Sequence, residues 1–188
     1  MQNPLAELQE YENLLEALKK GQGPIQATGT LDSQKVHLMY ELKEDASYPW
    51  SLVVTYDDTR AKEIYEDFRN FTDRVWLYPA RDLLFYSADI HGNLLTRQRI
   101  SVLKSILTEP GGVVVTTVDA LMDHLLPLSA FKSQVVSIQA GQTLDLEALK
   151  TQLTAMGYER TAQVDGMGQF SIRGGILDIF PLTEETPV

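Results

Sequence analysis

Two runs of strand-forming residues constrain the fold more than any other feature: residues 50–56 (Trp-Ser-Leu-Val-Val-Thr-Tyr) and 112–117 (Gly-Val-Val-Val-Thr-Thr). Neither alternates apolar with polar positions. That is the pattern of strands covered on both faces in a parallel sheet. A third run, 74–78, is closed by Pro79. Helical patterns lie between them. Asp57-Asp58 opens a helix with Ala61, Ile64, Tyr65 and Phe68 inward, and a further helix is predicted over 94–107. Strands alternating with helices argue for a parallel α/β sheet. Ahead of them, Asn3-Pro4 starts a helix carrying Leu5, Leu8, Tyr11, Leu14, Leu15 and Leu18, which stops at Lys19-Lys20-Gly21. Residues 25–28 read as a short strand, and Asp32 as the cap of a helix reaching Asp45. Residues 80–93 have no period and read as an irregular loop. Asp119 reads as the cap of a short helix.

The pattern changes near Pro127. Residues 135–138 read as a strand, 141–143 as a turn, and Asp145 as the cap of a helix ending at Gly157. Strands follow at 161–165, 169–173 and 175–180. The Gly174-Gly175 pair breaks the last two and predicts a hairpin, with Arg173 at a rigid strand end. This order predicts a small α+β module, about 127–188, after an α/β domain of about 1–126. A sheet of this kind normally continues, so the expectation is a module truncated at its C-terminal end.

With 16 basic and 26 acidic side chains the formal charge is −10. Non-specific nucleic-acid binding requires Lys and Arg to neutralise phosphates, so the chain as a whole is a poor candidate for it. Without cysteine, disulfides, thiolate metal sites and cysteine nucleophiles are excluded. The start, Met1-Gln2-Asn3-Pro4, lacks the basic head and apolar core of a signal peptide. No apolar run approaches the ~20 residues of a membrane span. The chain reads as cytoplasmic, with no membrane partner.

Thr28-Gly29-Thr30 lies where a phosphate-binding loop would lie. That loop needs G-x-x-x-x-G-K-[ST], in which glycine N–H groups cradle phosphate and lysine neutralises it. In this register the glycine positions hold Gln26 and Leu31, the lysine position holds Asp32, and only Ser33 fits. An aspartate repels phosphate, so the stretch reads as a turn before a helix. Asp119 has no second acid after it, and His37, His91 and His124 lack metal-ligand spacing. No cofactor or metal is expected. There is no G-x-S-x-G elbow. Arg97 and Arg99 diverge on their helix and read as exposed rather than catalytic, with burial of one in an ion pair as the alternative. Arg160 and Arg173 have two readings: each pairs with a nearby acid such as Glu159, Asp165 or Asp178, or each forms part of a protein-binding hot spot beside aromatic residues.

Gly157-Tyr158-Glu159-Arg160 and the run Gly168-Gln169-Phe170-Ser171-Ile172-Arg173-Gly174-Gly175-Ile176-Leu177-Asp178-Ile179-Phe180-Pro181 closely resemble the UvrB-like region of the bacterial transcription-repair coupling factors, the Mfd family. The run is also similar to the excision-repair helicase UvrB. Asp32-Ser33-Gln34-Lys35, the 50–56 strand, Tyr78-Pro79-Ala80, Arg99 and residues 113–121 extend the resemblance back in order. UvrB has a lysine-bearing nucleotide loop and an aromatic-rich insertion; this sequence has neither, and departs where Mfd departs. The resemblance implies a degenerate P-loop, RecA-like domain followed by a UvrA-interaction module. It implies a non-enzymatic N-terminal fragment that recruits UvrA in transcription-coupled nucleotide excision repair. The implied docking residues are Arg160 and Arg173, with Phe170 and Phe180 beside them. RNA polymerase and DNA would be engaged by other domains of the full-length protein, an ATP-dependent DNA translocase. The rival readings are a DNA-binding module and a weak nucleotide-binding domain.

Overall fold

The three strand-forming runs form one parallel sheet. In the computed structural model, which describes residues 3–80, 89–125, 127–133, 135–139, 141–184 and 186–188, the chain divides into two compact units, Met1–Asp123 and His124–Val188.

In the first unit the strands are β1 (Trp50–Thr55), β2 (Val75–Tyr78) and β3 (Gly112–Thr117), in the order β1-β3-β2. All pairings are parallel, with Val53 opposite Val115 and Val75 opposite Val113. Every residue of the central strand β3 is buried, which is why it reads as an unbroken apolar run. The helices are α1 (Gln9–Lys19), α2 (Asp32–Asp45), α3 (Asp58–Phe68), α4 (Asp89–Thr108) and α5 (Val118–Leu121). One core joins Val53, Val75, Val113 and Val115 to Ala61, Ile64 and Phe68 of α3 and Val36 of α2. A second core joins Val114 and Tyr78 to Val102 of α4 and Ala120 of α5. The first unit is therefore α/β, with helices packed on both sheet faces.

β1 departs from its expected burial. It is an edge strand, and Leu52 and Val54 remain 57% and 44% exposed. Close approach at the start of β3 requires glycine. A Cβ on Gly112 would strike the Trp76 ring and lie 2.7 Å from the Arg74 carbonyl oxygen. Arg99 is the arginine of its helix that becomes buried. It ion-pairs with Asp123 at 2.9 Å, donates to the Pro79 carbonyl at 2.8 Å, and lies 4.4 Å from the centre of the Tyr78 ring.

Other expectations are corrected. The first helix is broken: residues Pro4–Glu7 form a 3-10 turn, capped by the Asn3 side chain, and α1 starts after Leu8. Residues 25–28 form no strand, because no ladder partner lies beside them among the described residues. Asp32 is the first residue of α2 rather than its cap. The Leu31 N–H ahead of it is satisfied by the Gln34 side chain at 3.1 Å. Thr117, not Asp119, caps α5, its hydroxyl accepting from the Ala120 N–H at 3.2 Å. Asp57 caps α3 as its spacing predicts, accepting from the Arg60 N–H at 2.7 Å. Of the expected loop at 80–93, residues 89–93 belong to α4, and 81–88 lie outside the described residues.

In the second unit, α6 (Leu128–Ser133) and α7 (Leu146–Ala155) precede β4 (Glu159–Arg160), β5 (Gln169–Arg173) and β6 (Ile176–Ile179). The sheet order is β4-β5-β6, parallel in the first pair and antiparallel in the second. Asp145 caps α7, accepting from the Glu147 and Ala148 N–H groups. Leu149 and Leu153 of α7 pack on Phe170, with Ile172, Leu177 and Ile179 around them. The strand expected at 135–138 is absent: Val135 and Ile138 are exposed, while Val136 reaches the core without strand pairing. The strand expected at 161–165 is displaced to β4. Residues 165 and 166 instead turn, their N–H groups both donating to the Gln169 side chain.

A partly buried polar network ties the chain start to the end of α2. Tyr11, 2% exposed, donates to Asp45 at 2.6 Å, and the Asn3 amide reaches both groups at 3.1 and 3.0 Å. Burial, then the Asp45 carboxylate, push the Tyr11 phenol above its ordinary range, against a smaller lowering from Asn3. A folded pKa above the unfolded one means that the folded state holds the proton longer. The contribution is complete below about pH 10, the ordinary tyrosine value, and fades as pH rises beyond it. Tyr11→Phe is expected to lower unfolding free energy by about 1.5–3 kcal/mol at pH 7, the range for a hydrogen bond to a charged group. Urea unfolding at pH 7 and above pH 10 should show the difference between the two proteins narrowing at the higher pH.

Candidate functional site

The β5–β6 hairpin turns on Gly174 (φ +56°) and Gly175 (φ +92°). Left-handed backbone at both central positions is the two-residue turn whose twist matches antiparallel strands. It fixes four pairs: Arg173 with Ile176, Ile172 with Leu177, Ser171 with Asp178, and Phe170 with Ile179. Strand alternation then sorts the residues by face. Phe170, Ile172, Leu177 and Ile179 turn toward α7. Ser171, Arg173, Ile176 and Asp178 take the other face. Ser171 is buried there and donates to the Ala162 carbonyl at 3.2 Å, so residue 162 covers that end. The turn end is open: the Arg173 side chain and Ile176 are each 64% exposed.

The structure brings some of the expected docking residues together and separates others. Arg173 sits beside the turn, its Nη2 donating to Asp178 at 2.7 Å. The ion-pair reading of Arg173 is thus realised, while much of its side chain still faces outward. Arg160 is exposed on the short edge strand β4, directly opposite Phe170. By register it shares the face of Phe170, not that of Arg173, so the two arginines do not form one patch on a single face. Phe180 follows β6 and is half-buried, its backbone bonded to Gly168 and Gln169. Phe170 is fully buried. Its ring is part of the core beneath the hairpin, and it acts through packing rather than as a surface contact. Ile176 was missed. Exposure of a strand isoleucine becomes visible only once the turn fixes which face it takes.

The Thr28–Thr30 loop borders a groove with no lysine or arginine among its described lining residues. The groove is about 700 Å³, and its apolar walls include Leu5, Leu14, Ile25 and Leu38. Asp32, where the nucleotide loop would carry lysine, pairs with Lys35 at 3.1 Å and Arg60 at 2.8 Å. The Lys35 hydrogen bond, then the Arg60 charge, hold its carboxyl below the usual range, so it is anionic at neutral pH. Among the described residues no three His, Cys, Asp or Glu side chains are grouped to hold a metal ion. No described helix is long and apolar enough to cross a membrane.

Residues 136–188 match the family model of the UvrB interaction domain. Over its whole length the chain is similar to the N-terminal region of transcription-repair-coupling factors. It is 29% identical to that of Bacillus subtilis (strain 168) over 190 residues, covering all of this chain and 16% of the relative. It is also 29% identical to that of Staphylococcus epidermidis (RP62A) over 188 residues, 99% of this chain and 16% of the relative. The same identity holds for Staphylococcus aureus (MRSA252) over 167 residues, 88% of this chain and 14% of the relative. The chain spans about a sixth of the length of the curated relatives it matches. The hairpin and both arginines lie inside the segment matched by the UvrB interaction domain.

The described lining of the groove holds no lysine or arginine, and Asp32 beside it is anionic. Millimolar Mg-ATP is therefore expected to leave the melting temperature unchanged. Saturation at a hundred times the dissociation constant would add ~2.7 kcal/mol, so a rise of several degrees would contradict this account of the loop.

Proposed function

We propose that this chain is a non-enzymatic protein-interaction fragment of a transcription-repair coupling factor, and that it recruits UvrA during transcription-coupled nucleotide excision repair. The observation that carries the reading is the position of the β5–β6 hairpin within the segment matching the UvrB interaction domain. That hairpin presents a held, outward arginine beside an exposed isoleucine. Arginine at the edge of an apolar contact is a composition enriched at protein hot spots.

In this reading residues 127–188 are the UvrA-docking module, with Arg173 and Arg160 as its charged contacts, Phe180 at its margin and Phe170 as internal support. Residues 1–126 are a degenerate P-loop, RecA-like domain. Its parallel β1-β3-β2 sheet with helices on both faces supports that relationship, and the anionic Asp32 supports loss of nucleotide chemistry. The protein works in the cytoplasm. RNA polymerase and DNA are contacted by other parts of the longer protein, where the ATP-dependent translocase activity also resides.

The test is calorimetric titration of purified UvrA into this chain, wild type beside Arg173→Ala. Truncating a hot-spot arginine is expected to cost ~2 kcal/mol, about thirtyfold in affinity. That exceeds the 0.2–1 kcal/mol typical of an exposed ion pair. Equal affinity for both proteins, or no binding by a folded wild type, would overturn the proposal.

A further inference from the structure

The docking reading accounts for Arg173 but leaves Asp178 without a task. Asp178 lies on β6 directly opposite Ser171, one diagonal step from Arg173 on the same face. Ser171 does not compete for it, since its hydroxyl is turned to the Ala162 carbonyl. Arg173 is the one ion-pair partner of Asp178 among the described residues. The bond engages Nη2 alone. The Nη1 and Nε donors have no hydrogen-bond partner among the described residues, and the side chain is 64% exposed. Ile176, opposite Arg173 in the ladder, supplies exposed apolar surface next to these donors.

From this geometry we infer that Asp178 is a positioning residue for Arg173, and that the group received beside the turn is a carboxylate carried next to an apolar side chain. The inference rests on the docking proposal. An unanchored arginine explores many rotamers and loses that freedom on binding. Asp178 restricts the guanidinium before the partner arrives, so part of the ordering has already occurred in the free chain. The remaining N–H donors then meet an acceptor; a carboxylate makes the strongest such bond, because both groups are charged. Ile176 receives the apolar neighbour.

The experiment measures UvrA affinity for Asp178→Ala, Asp178→Asn, Arg173→Ala and the double variant Asp178→Ala/Arg173→Ala. In parallel, the ¹⁵N relaxation order of the Arg173 Nε–H is measured in the free chain. Asp178→Ala is expected to weaken binding about fivefold, the size of one side chain's ordering cost. Asp178→Asn, which keeps an acceptor oxygen, should fall between it and the wild type. The double variant should bind no more weakly than Arg173→Ala. The Nε–H order should drop in Asp178→Ala, and affinity should fall with added salt more steeply for the wild type than for Arg173→Ala. Binding by Asp178→Ala at or above wild-type strength would overturn the positioning role while leaving the docking proposal intact. So would an equal loss in the Arg173→Ala background, or unchanged Nε–H order. Equal salt slopes would overturn the carboxylate assignment. If the wild type fails to bind UvrA, the docking proposal falls and the Nε–H order alone decides whether Asp178 positions Arg173.

Discussion

What the β5–β6 hairpin presents depends on two successive residues in left-handed backbone, Gly174 and Gly175. For a residue with a Cβ that conformation costs roughly 1–2 kcal/mol at each position. Glycine removes the cost and permits the tightest turn compatible with strand twist. The turn sets the register, and the register decides which side chains are core and which are surface. A slip of β5 by one residue would send Phe170 outward and draw Arg173 into an apolar interior, and a slip of β6 would do the same to Ile179 and Asp178. The fully buried Phe170 ring opposes that slip from below, packed on Leu149 and Leu153 of α7. Turn and core therefore specify the same arrangement.

The first unit follows the same logic with a parallel ladder. β3 is covered on both faces, and the glycine at its start admits the Trp76 ring. Its buried polar groups are used rather than avoided. The Thr116 hydroxyl donates to the Tyr78 carbonyl at 2.9 Å, and Arg99 is held by Asp123 and the Pro79 carbonyl. Burial of this arginine is tolerable because its charge is paired with Asp123 and its Nη1 meets the Pro79 carbonyl. The Asn3–Tyr11–Asp45 network does for the chain start what these bonds do for the sheet.

Much of this was legible in the residues. The three parallel strands, the Asp57 and Asp145 caps and the two-glycine hairpin each carry a local signal: a continuous β-branched run, an acceptor before an apolar-periodic segment, or a pair free of Cβ. What was not legible depended on partners distant in sequence. The apolar stretches at 25–28 and 135–138 have strand composition but no neighbouring strand, and composition alone does not supply one. Asp32 and Asp119 are plausible caps, yet Gln34 and Thr117 meet the N–H groups instead. The sequence singles out both arginines as candidates, but their division between faces follows only from the pairing of Arg160 with Phe170. The resemblance places Phe170 beside the arginines; that its ring is core rather than surface follows only from its contact with α7.

The central proposal is that partner recognition lies on the small β4-β5-β6 sheet, with Arg173 at the turn end of the β5–β6 hairpin as its main contact. Amide hydrogen exchange on the whole chain, free and with saturating UvrA, tests it most directly. The account predicts added protection over residues 172–179, with exchange over β3 unchanged. Protection confined to residues 50–55 or 112–117, with the hairpin exchanging as in the free chain, would contradict it.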